Sequence, residues 1–337
     1  SMAFRVGFRD IQNATNQRTM IACAIPRFPC ANTVPTLTRG RWNKDLAILP
    51  ALNSFVFDRI IRAKINQNHL NWFYVEEMPL PRGLDVAHQN GLLLATLAIA
   101  APGKWFAPEW LLAKELCTSR PKEALKHRWA ITPHERVRLR SLLDAVIAEL
   151  YGLDLEDLAW ILRDCDHPAE RIANHDITRT LDPKGFWRVD KELDPELRHT
   201  VLTLIAFHDL KQTIAAHGGN REAGIEAFCT QNDGDGWMLP ETLRLDDFGL
   251  GHDARAKEPQ PVRSRLGERF LPWQLEQSVE DSWAECERHA RNILGEEGFS
   301  QLQAELRGEV AVAAESRVVP YRTENLTLFG ETEGGTE

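Results

Sequence analysis

The chain has little cysteine, and its cysteines are scattered. The 337 residues contain six, with no C-x-x-C pair and no grouping with histidine. Structural zinc sites and disulfide frameworks use closely spaced pairs, so neither is expected. Long apolar runs are also lacking, because none reaches the roughly 18 residues that a membrane-spanning helix needs. The sequence therefore predicts a protein without a membrane span, and we expect it to work in the cytoplasm.

Catalytic and metal-binding patterns are equally scarce. The DGDG segment at 233–236 has half of a calcium loop but lacks the third acidic ligand and the closing glutamate, so a glycine-rich turn is predicted. His199, His208 and His217 recur at a spacing that does not align them on one helix face. No nucleophile and base pattern supports a self-contained hydrolase. We therefore expect no metal site and no catalytic residue in this chain.

Charge is distributed unevenly along the sequence. The net charge is −9, yet residues 1–131 hold 17 Lys and Arg against 9 Asp and Glu, whereas residues 132–337 hold 23 against 40. The first part therefore carries +8 and the second −17. A basic part can bind phosphates locally even when the whole chain is acidic. With the chain length, this predicts a first domain at 1–131, a second at 132–325 and a flexible tail at 326–337.

Two short strands are predicted near the beginning of the chain. Residues 4–11 and 19–26 have strand-like patterns, and the residues between them, 12–18, are almost all amide, hydroxyl or arginine. Such a connection is either a plain polar hairpin loop or a loop that is presented to base edges and phosphates.

The segment Leu52–Pro81 is predicted to organise the first domain. Pro50 suits a first helical turn, and the apolar residues that follow recur at spacings of three and four, which predicts an amphipathic helix. The amide-rich run at 66–68 ends that pattern, and alternation over 70–76 predicts a strand. Asn and Gln amides can pair with an adenine edge, so the turn either only closes the chain or also contacts a base.

The second domain is predicted to be mainly helical, so the fold class is α+β: a small mixed α/β domain followed by helices. Thr132, Pro133 and Glu135 form a capping-box pattern, and Asp154 and Asn220 are predicted to cap two later helices. Another helix is predicted to start at Asp194. Helices are also predicted at 92–98, 108–114, 271–294 and 301–314.

Three sequence patterns together resemble one family. They are FRD-I-x-x-ATN-x-RT-x-I-A-x-x-IP at 8–26, LNS-F-x-FD-x-x-x-R-x-K with HLN-x-F and P-x-P at 52–81, and RLRSLLDAVIAELYGLDLEDLAWIL at 138–162. This order is similar to the C-terminal target-recognition region of large adenine-specific DNA methyltransferases, found in type IIG and IIL restriction-modification and in DISARM- and BREX-type phage defence. The resemblance covers residues 5 to 165. A glycine-rich turn commonly precedes HLN-x-F in that family, and an amide-rich turn stands here instead.

The resemblance implies a DNA-binding module that lacks its catalytic half. The Asn-Pro-Pro-aromatic loop and the glycine-containing turn for S-adenosylmethionine are absent from the sequence. We therefore expect that the chain starts inside a longer parent, that it has no cofactor of its own, and that S-adenosylmethionine binds an N-terminal methyltransferase domain. The expected partners are double-stranded DNA, that domain and other subunits of a defence system.

The candidate DNA-binding residues come from the two polar loops and the basic positions around them. A solvated surface is the alternative for any single arginine among them. An alternative function for the whole chain is a helical protein–protein interaction module of a defence complex, without base recognition. The candidates are Arg9, Asn13, Asn16, Arg18, Arg27, Arg41, Arg62, Lys64, Asn66, Gln67, Asn68 and His69.

Overall fold

A computed structural model describes residues 4–37, 42–65, 67–84, 90–114, 123–163, 185–243 and 260–307. Its strands are β1 (Phe4–Phe8), β2 (Ala22–Pro26), β3 (Thr36–Leu37), β4 (Thr242–Leu243) and β5 (Gln260–Pro261). Its α-helices are α1 (Trp42–Asn53), α2 (Phe55–Lys64), α3 (Trp72–Glu76), α4 (Asn90–Ala100), α5 (Ala107–Lys114), α6 (Pro133–Leu150), α7 (Leu155–Arg163), α8 (His199–Ala216), α9 (Arg221–Thr230), α10 (Val262–Leu266) and α11 (Val279–Leu306). The predicted α+β class is confirmed.

The first three strands form an antiparallel sheet in the order β2-β1-β3. The register of β1 and β2 runs from Phe4 opposite Pro26 to Phe8 opposite Ala22. Phe4, Val6 and Phe8 are buried on the core face, because alternate side chains of a strand point to the same side. The two predicted strands and their polar connection are therefore confirmed.

The helix predicted from Pro50 onward is two helices. Pro50 lies inside α1, and α2 begins only after Ser54, whose hydroxyl accepts from the backbone N–H of Phe57 at 3.1 Å. Serine in extended conformation ends one helix and caps the next because its side chain replaces a missing helical acceptor. The prediction that Pro50 starts this helix is wrong for that reason.

The predicted strand at 70–76 is wrong as well. Only one bridge forms there, between Ile11 and His69, and α3 follows at once. Asn71 is extended and its carbonyl accepts from Tyr74 N–H at 3.1 Å, which starts the short helix. The burial of this segment has the spacing of a helix, since Leu70 and Tyr74 are buried and the three residues between them are exposed. Trp72 packs edge to face on Phe8 with ring centroids 5.1 Å apart.

Most helix starts in the second half follow the sequence signals. Thr132 caps α6, Asp154 accepts from Asp157 N–H at 2.8 Å before α7, and Asn220 caps α9. The single helix predicted from Asp194 is divided, because Arg198 is extended between a short 3-10 turn and α8.

The two helices predicted near the end of the chain meet within α11. The helical conformation breaks at Gly295, where φ is 71° and ψ is 175°, a backbone conformation that glycine adopts without strain. The described part of this helix ends before residue 308, so the rest of the segment predicted at 301–314 lies outside the described residues.

Helix α6 is the centre of the core. It packs against α1, α2 and α4 on one side and against α8 on the other, while α5 packs against α11. Side chains from both sides of residue 131 therefore share one buried cluster, and the domain boundary at that residue stays a prediction. The predicted tail at 326–337 lies outside the described residues. Among the described helices, none has the length and hydropathy to cross a bilayer.

Candidate nucleic-acid interface

The two amide-rich segments lie side by side. Gln12 N–H donates to Asn68 O at 2.9 Å, and Leu70 N–H donates to Asp10 O at 2.8 Å. Between the side chains, Asn13 Nδ2 donates to Asn68 Oδ1 at 2.7 Å. Segments that are far apart in sequence therefore form one exposed edge. We call this surface, Asn13, Asn16, Gln67, Asn68 and His69, the amide edge.

The members of the amide edge differ in their free hydrogen-bonding groups. Asn13 is mostly used, because its Oδ1 accepts from Thr15 N–H at 2.9 Å and from the Thr15 hydroxyl at 3.0 Å, and one of its two Nδ2 hydrogens is donated to Asn68. Asn68 keeps its Nδ2 group, and Gln67 is exposed with both amide atoms available. His69 has Nδ1 2.7 Å from Asp10 Oδ2, which leaves Nε2 directed elsewhere. Asn16 is partly buried in the same loop.

Exposed apolar side chains stand beside the amide edge. Ile11, which bridges to His69, is 54% exposed, and Trp72 and Phe73 are 37% and 50% exposed. Large apolar groups at a surface normally serve contacts, and aromatic rings can stack on nucleic-acid bases. Polar groups for base edges and rings for stacking are thus neighbours.

A buried clamp fixes the loop from behind. Asp58 is fully buried and accepts from the backbone N–H groups of Thr19 at 2.9 Å and Met20 at 2.7 Å. Arg62 Nε donates to the same carboxylate at 2.7 Å, and Arg62 Nη2 donates to Gln17 O at 2.5 Å. The clamp holds the end of the 12–18 connection against α2, so the loop presents its polar side in a fixed geometry.

Two predicted phosphate contacts lie at this clamp, and the one at Arg62 is corrected. The Arg62 side chain is 1% exposed, and its guanidinium lies 4.4 Å from the Phe186 ring centroid. Arg18 is 19% exposed, lies 4.6 Å from the Phe55 ring centroid and donates to Asn53 O. A buried guanidinium cannot contact the DNA backbone, so Arg62 is structural. Arg18 is partly buried but lines a cleft, so its contact with DNA stays a prediction.

The other predicted basic residues are dispersed. Arg9 is exposed and its Nη2 donates to Arg18 O at 3.3 Å, while Arg27 is exposed just past β2. Lys64 is half-exposed and pairs with Glu77, which reduces its value as a phosphate contact. Arg41 and Asn66 lie outside the described residues.

Sequence reasoning missed two arginines of α6. Arg136 and Arg140 are four residues apart, so they share one helix face, and this spacing was the available signal. With Arg18 they line a cleft of about 370 Å³. Partial enclosure by protein lowers the pKa of Arg140, and the positive charges of Arg136 and Arg18 lower it further, while Asp144 and Asp190 oppose this. The positive charges of Arg136 and Arg18 are therefore close enough to act on the Arg140 guanidinium.

The expectation that the chain has no cofactor of its own stays a prediction. Among the described residues, a polar loop follows β1, and an irregular segment with a turn at Asn32 and Thr33 connects β2 to β3. No chemical step is assigned to this chain. Comparison with family models, with curated proteins and with solved structures gives no match in any of the three.

Proposed function

We propose that the chain is the DNA sequence-recognition module of an adenine-specific DNA methyltransferase of bacterial restriction-modification or phage defence. It binds duplex DNA and holds the target adenine for a catalytic domain of the same parent protein, which carries S-adenosylmethionine. The observation that supports this best is the meeting of two amide-rich segments at one exposed edge, through the Asn13–Asn68 contact at 2.7 Å. Each segment alone has the composition of an ordinary polar turn.

The free groups of the amide edge suit base recognition. An Asn or Gln amide presents a donor and an acceptor together, which matches N7 and the N6 amino group of adenine. Gln67 has both atoms available, and Asn68 supplies a donor. Asn13 acts indirectly, because it orients the Asn68 amide.

The rigidity of the loop supports the same proposal. A polar group that is already fixed loses less conformational entropy on binding than one on a mobile loop. The buried Asp58 carboxylate holds two consecutive backbone N–H groups of the connection. Arg62 contributes to DNA binding only by keeping this carboxylate in place.

The substitution Asn68→Asp tests the proposal with little change in shape. Aspartate keeps the oxygen that accepts from Asn13 Nδ2, but it replaces the free Nδ2 donor by a charged oxygen. We expect the affinity of the full chain for its preferred duplex to fall about tenfold, because one good base contact contributes about 1–3 kcal/mol of discrimination. The preferred duplex is first selected from a randomised pool, and affinity is measured by fluorescence anisotropy.

The matched control is Gln231→Glu, which makes the same change of amide to carboxylate at an exposed position after α9. The control should retain wild-type affinity and select the same sequences. If Asn68→Asp and Gln231→Glu weaken binding equally, the effect is only added negative charge and the turn is structural. If the wild-type chain enriches no sequence from the pool, the proposed function is wrong.

A further inference from the structure

The arginine cleft is a second polar site, separate from the amide edge. It lies between β2, α1, α4 and α6, and its volume of about 370 Å³ is in the range of small-molecule sites, about 300–1,000 Å³. Its lining includes the charged side chains of Arg18, Arg136, Arg140 and Asp144, the His199 imidazole, and the polar side chains of Asn53 and Thr96. Apolar side chains, among them Leu49, Ile99 and Val189, form the rest of the wall.

Positive charge exceeds negative charge in this cleft. Asp144 is the lining carboxylate, and it is already engaged, since it accepts from Phe55 N–H at 2.9 Å and lies 3.1 Å from His199 Nε2. Among the lining residues, three guanidinium groups therefore face one occupied carboxylate. Two carboxylates outside the lining are engaged as well: Asp190, which acts on Arg140, accepts from His199 N–H at 2.6 Å, and Asp58, 4.0 Å from Arg18 Nε, is held by Arg62. An anion that enters the cleft reduces the repulsion between Arg140 and the other two arginines.

The arginines also have spare donors. Arg140 Nε donates to Arg136 O at 3.2 Å, and its two terminal nitrogens donate to no acceptor in the described part of the chain. Arg136 uses Nη1 for the carbonyls of Ile99 and Ala130, at 3.4 and 3.1 Å. The rigid helix α6 and the Phe55 ring under Arg18 keep these groups in position.

We propose that the arginine cleft binds the phosphate of a nucleotide, either a free nucleotide or one within a DNA strand. The planar guanidinium fork matches two phosphate oxygens at once, and the apolar wall suits the attached sugar and base. The inference does not depend on the proposed function, because it rests on charge and spare donors at a different surface.

The test is isothermal titration of the full chain with 2′-deoxyadenosine 5′-monophosphate and with the uncharged nucleoside 2′-deoxyadenosine. We expect the monophosphate to bind at least tenfold more tightly than the nucleoside. Arg140→Gln should weaken monophosphate binding about tenfold, as expected for a hydrogen bond to a charged group. Arg140→Lys should give an intermediate loss, because it keeps the charge but not the fork.

The control is Arg288→Gln, at an exposed position on α11, which should change nothing. The two phosphate sources are separated with a duplex. If Arg140→Gln lowers duplex affinity and flattens the salt slope by about one, and the monophosphate does not bind, the phosphate belongs to DNA. The cleft is not a phosphate site if Arg140→Gln and Arg288→Gln leave both affinities equal to wild type, or if the nucleoside binds as tightly as the monophosphate.

Discussion

The arginines of this molecule fall into two groups that differ in what faces them. Arg62 and Arg138 are buried and paired with Asp58 and Glu135, and each also donates to backbone carbonyls. The cleft pair Arg136 and Arg140 lies near Asp144 and Asp190, which other groups already occupy, and Arg140 keeps donors unused in the described part of the chain. Both groups look the same as charges in the sequence. The comparison teaches that the partners of a guanidinium, and not its place in a basic segment, decide whether it stabilises the fold or binds an anion.

The largest expected effect on stability comes from removing the carboxylate partner of a buried arginine. In the wild-type chain, Glu135 accepts from Arg138 at 2.9 and 2.5 Å and from Arg269 at 2.8 and 3.2 Å. Glu135→Gln leaves the buried Arg138 without its countercharge, so we expect the free energy of unfolding to fall by about 3–5 kcal/mol. Urea denaturation followed by circular dichroism measures this.

The control for that variant is Glu287→Gln on the exposed face of α11, with an expected change below about 0.5 kcal/mol. Similar losses for the two variants would mean that the ion pairs of Glu135 contribute no more than a surface carboxylate.

Replacing one arginine of each group by methionine compares the two groups directly. Arg62→Met leaves the Asp58 carboxylate buried with its two backbone donors and with Arg18 Nε 4.0 Å away, and we expect a loss of stability of about 3 kcal/mol. Arg140→Met removes an exposed side chain, and we expect less than about 0.5 kcal/mol. Chemical denaturation of both variants checks this, and equal losses would contradict the division into two groups.

Acid should remove the stabilisation that the ion pairs of Glu135 with the buried Arg138 and with Arg269 contribute. Burial alone would raise the pKa of Glu135, but the charges and hydrogen bonds of Arg138 and Arg269 lower it from 4.5 to about 2. Below pH 4.5 the unfolded chain therefore takes up a proton that the folded chain does not. This stabilisation is complete above about pH 4.5 and is lost as the pH falls towards 2, by on the order of 3 kcal/mol.

The measurement is the difference in unfolding free energy between the wild-type chain and Glu135→Gln at a series of pH values. The difference should shrink steadily below pH 4.5. A difference that stays constant down to pH 2 would show that Glu135 has an ordinary pKa.

Salt concentration should also distinguish the two groups of arginines, and its expected effect on stability is the smallest of these predictions. Glu135 and Arg138 are buried, so raising sodium chloride from 0.05 to 1 M should change the stability difference between wild type and Glu135→Gln by less than about 0.5 kcal/mol. Over the same range the cleft should lose several-fold in affinity for the nucleotide monophosphate, because its charges are open to solvent. Titration calorimetry at the two salt concentrations measures the second effect.

The sequence predicted correctly those structural features that depend on interactions between neighbouring residues. The capping residues Thr132, Asp154 and Asn220 act within one turn, so their positions could be predicted from spacing. The paired strands could be predicted because alternation reports a buried face. The strand predicted at 70–76 is wrong because Leu70 and Tyr74, which are four residues apart, are the buried pair, and the sequence alternation does not show which apolar residues the fold buries.

The site was harder to predict because burial is a property of the assembled fold. The two polar loops were each identified in the sequence. Their contact could not be predicted, because it depends on the β-bridge between Ile11 and His69, which are distant in sequence. Arg62 was predicted as a phosphate contact because the sequence does not show the role of its partner Asp58. In the structure the Asp58 carboxylate also accepts from the N–H groups of Thr19 and Met20. The cleft was missed because Arg18 joins it from the other half of the fold.

Asn53 has a consequence for the behaviour of this protein at high concentration. Strand β2 is an edge strand, and the Asn53 amide accepts from Ala22 N–H and donates to Ala22 O, both at 3.0 Å. The side chain thus takes the place that a neighbouring strand would occupy. An open edge is a template on which another chain can add, and it promotes aggregation. With Ala22 already satisfied, the sheet of one molecule offers no backbone pair at this position to the sheet of another.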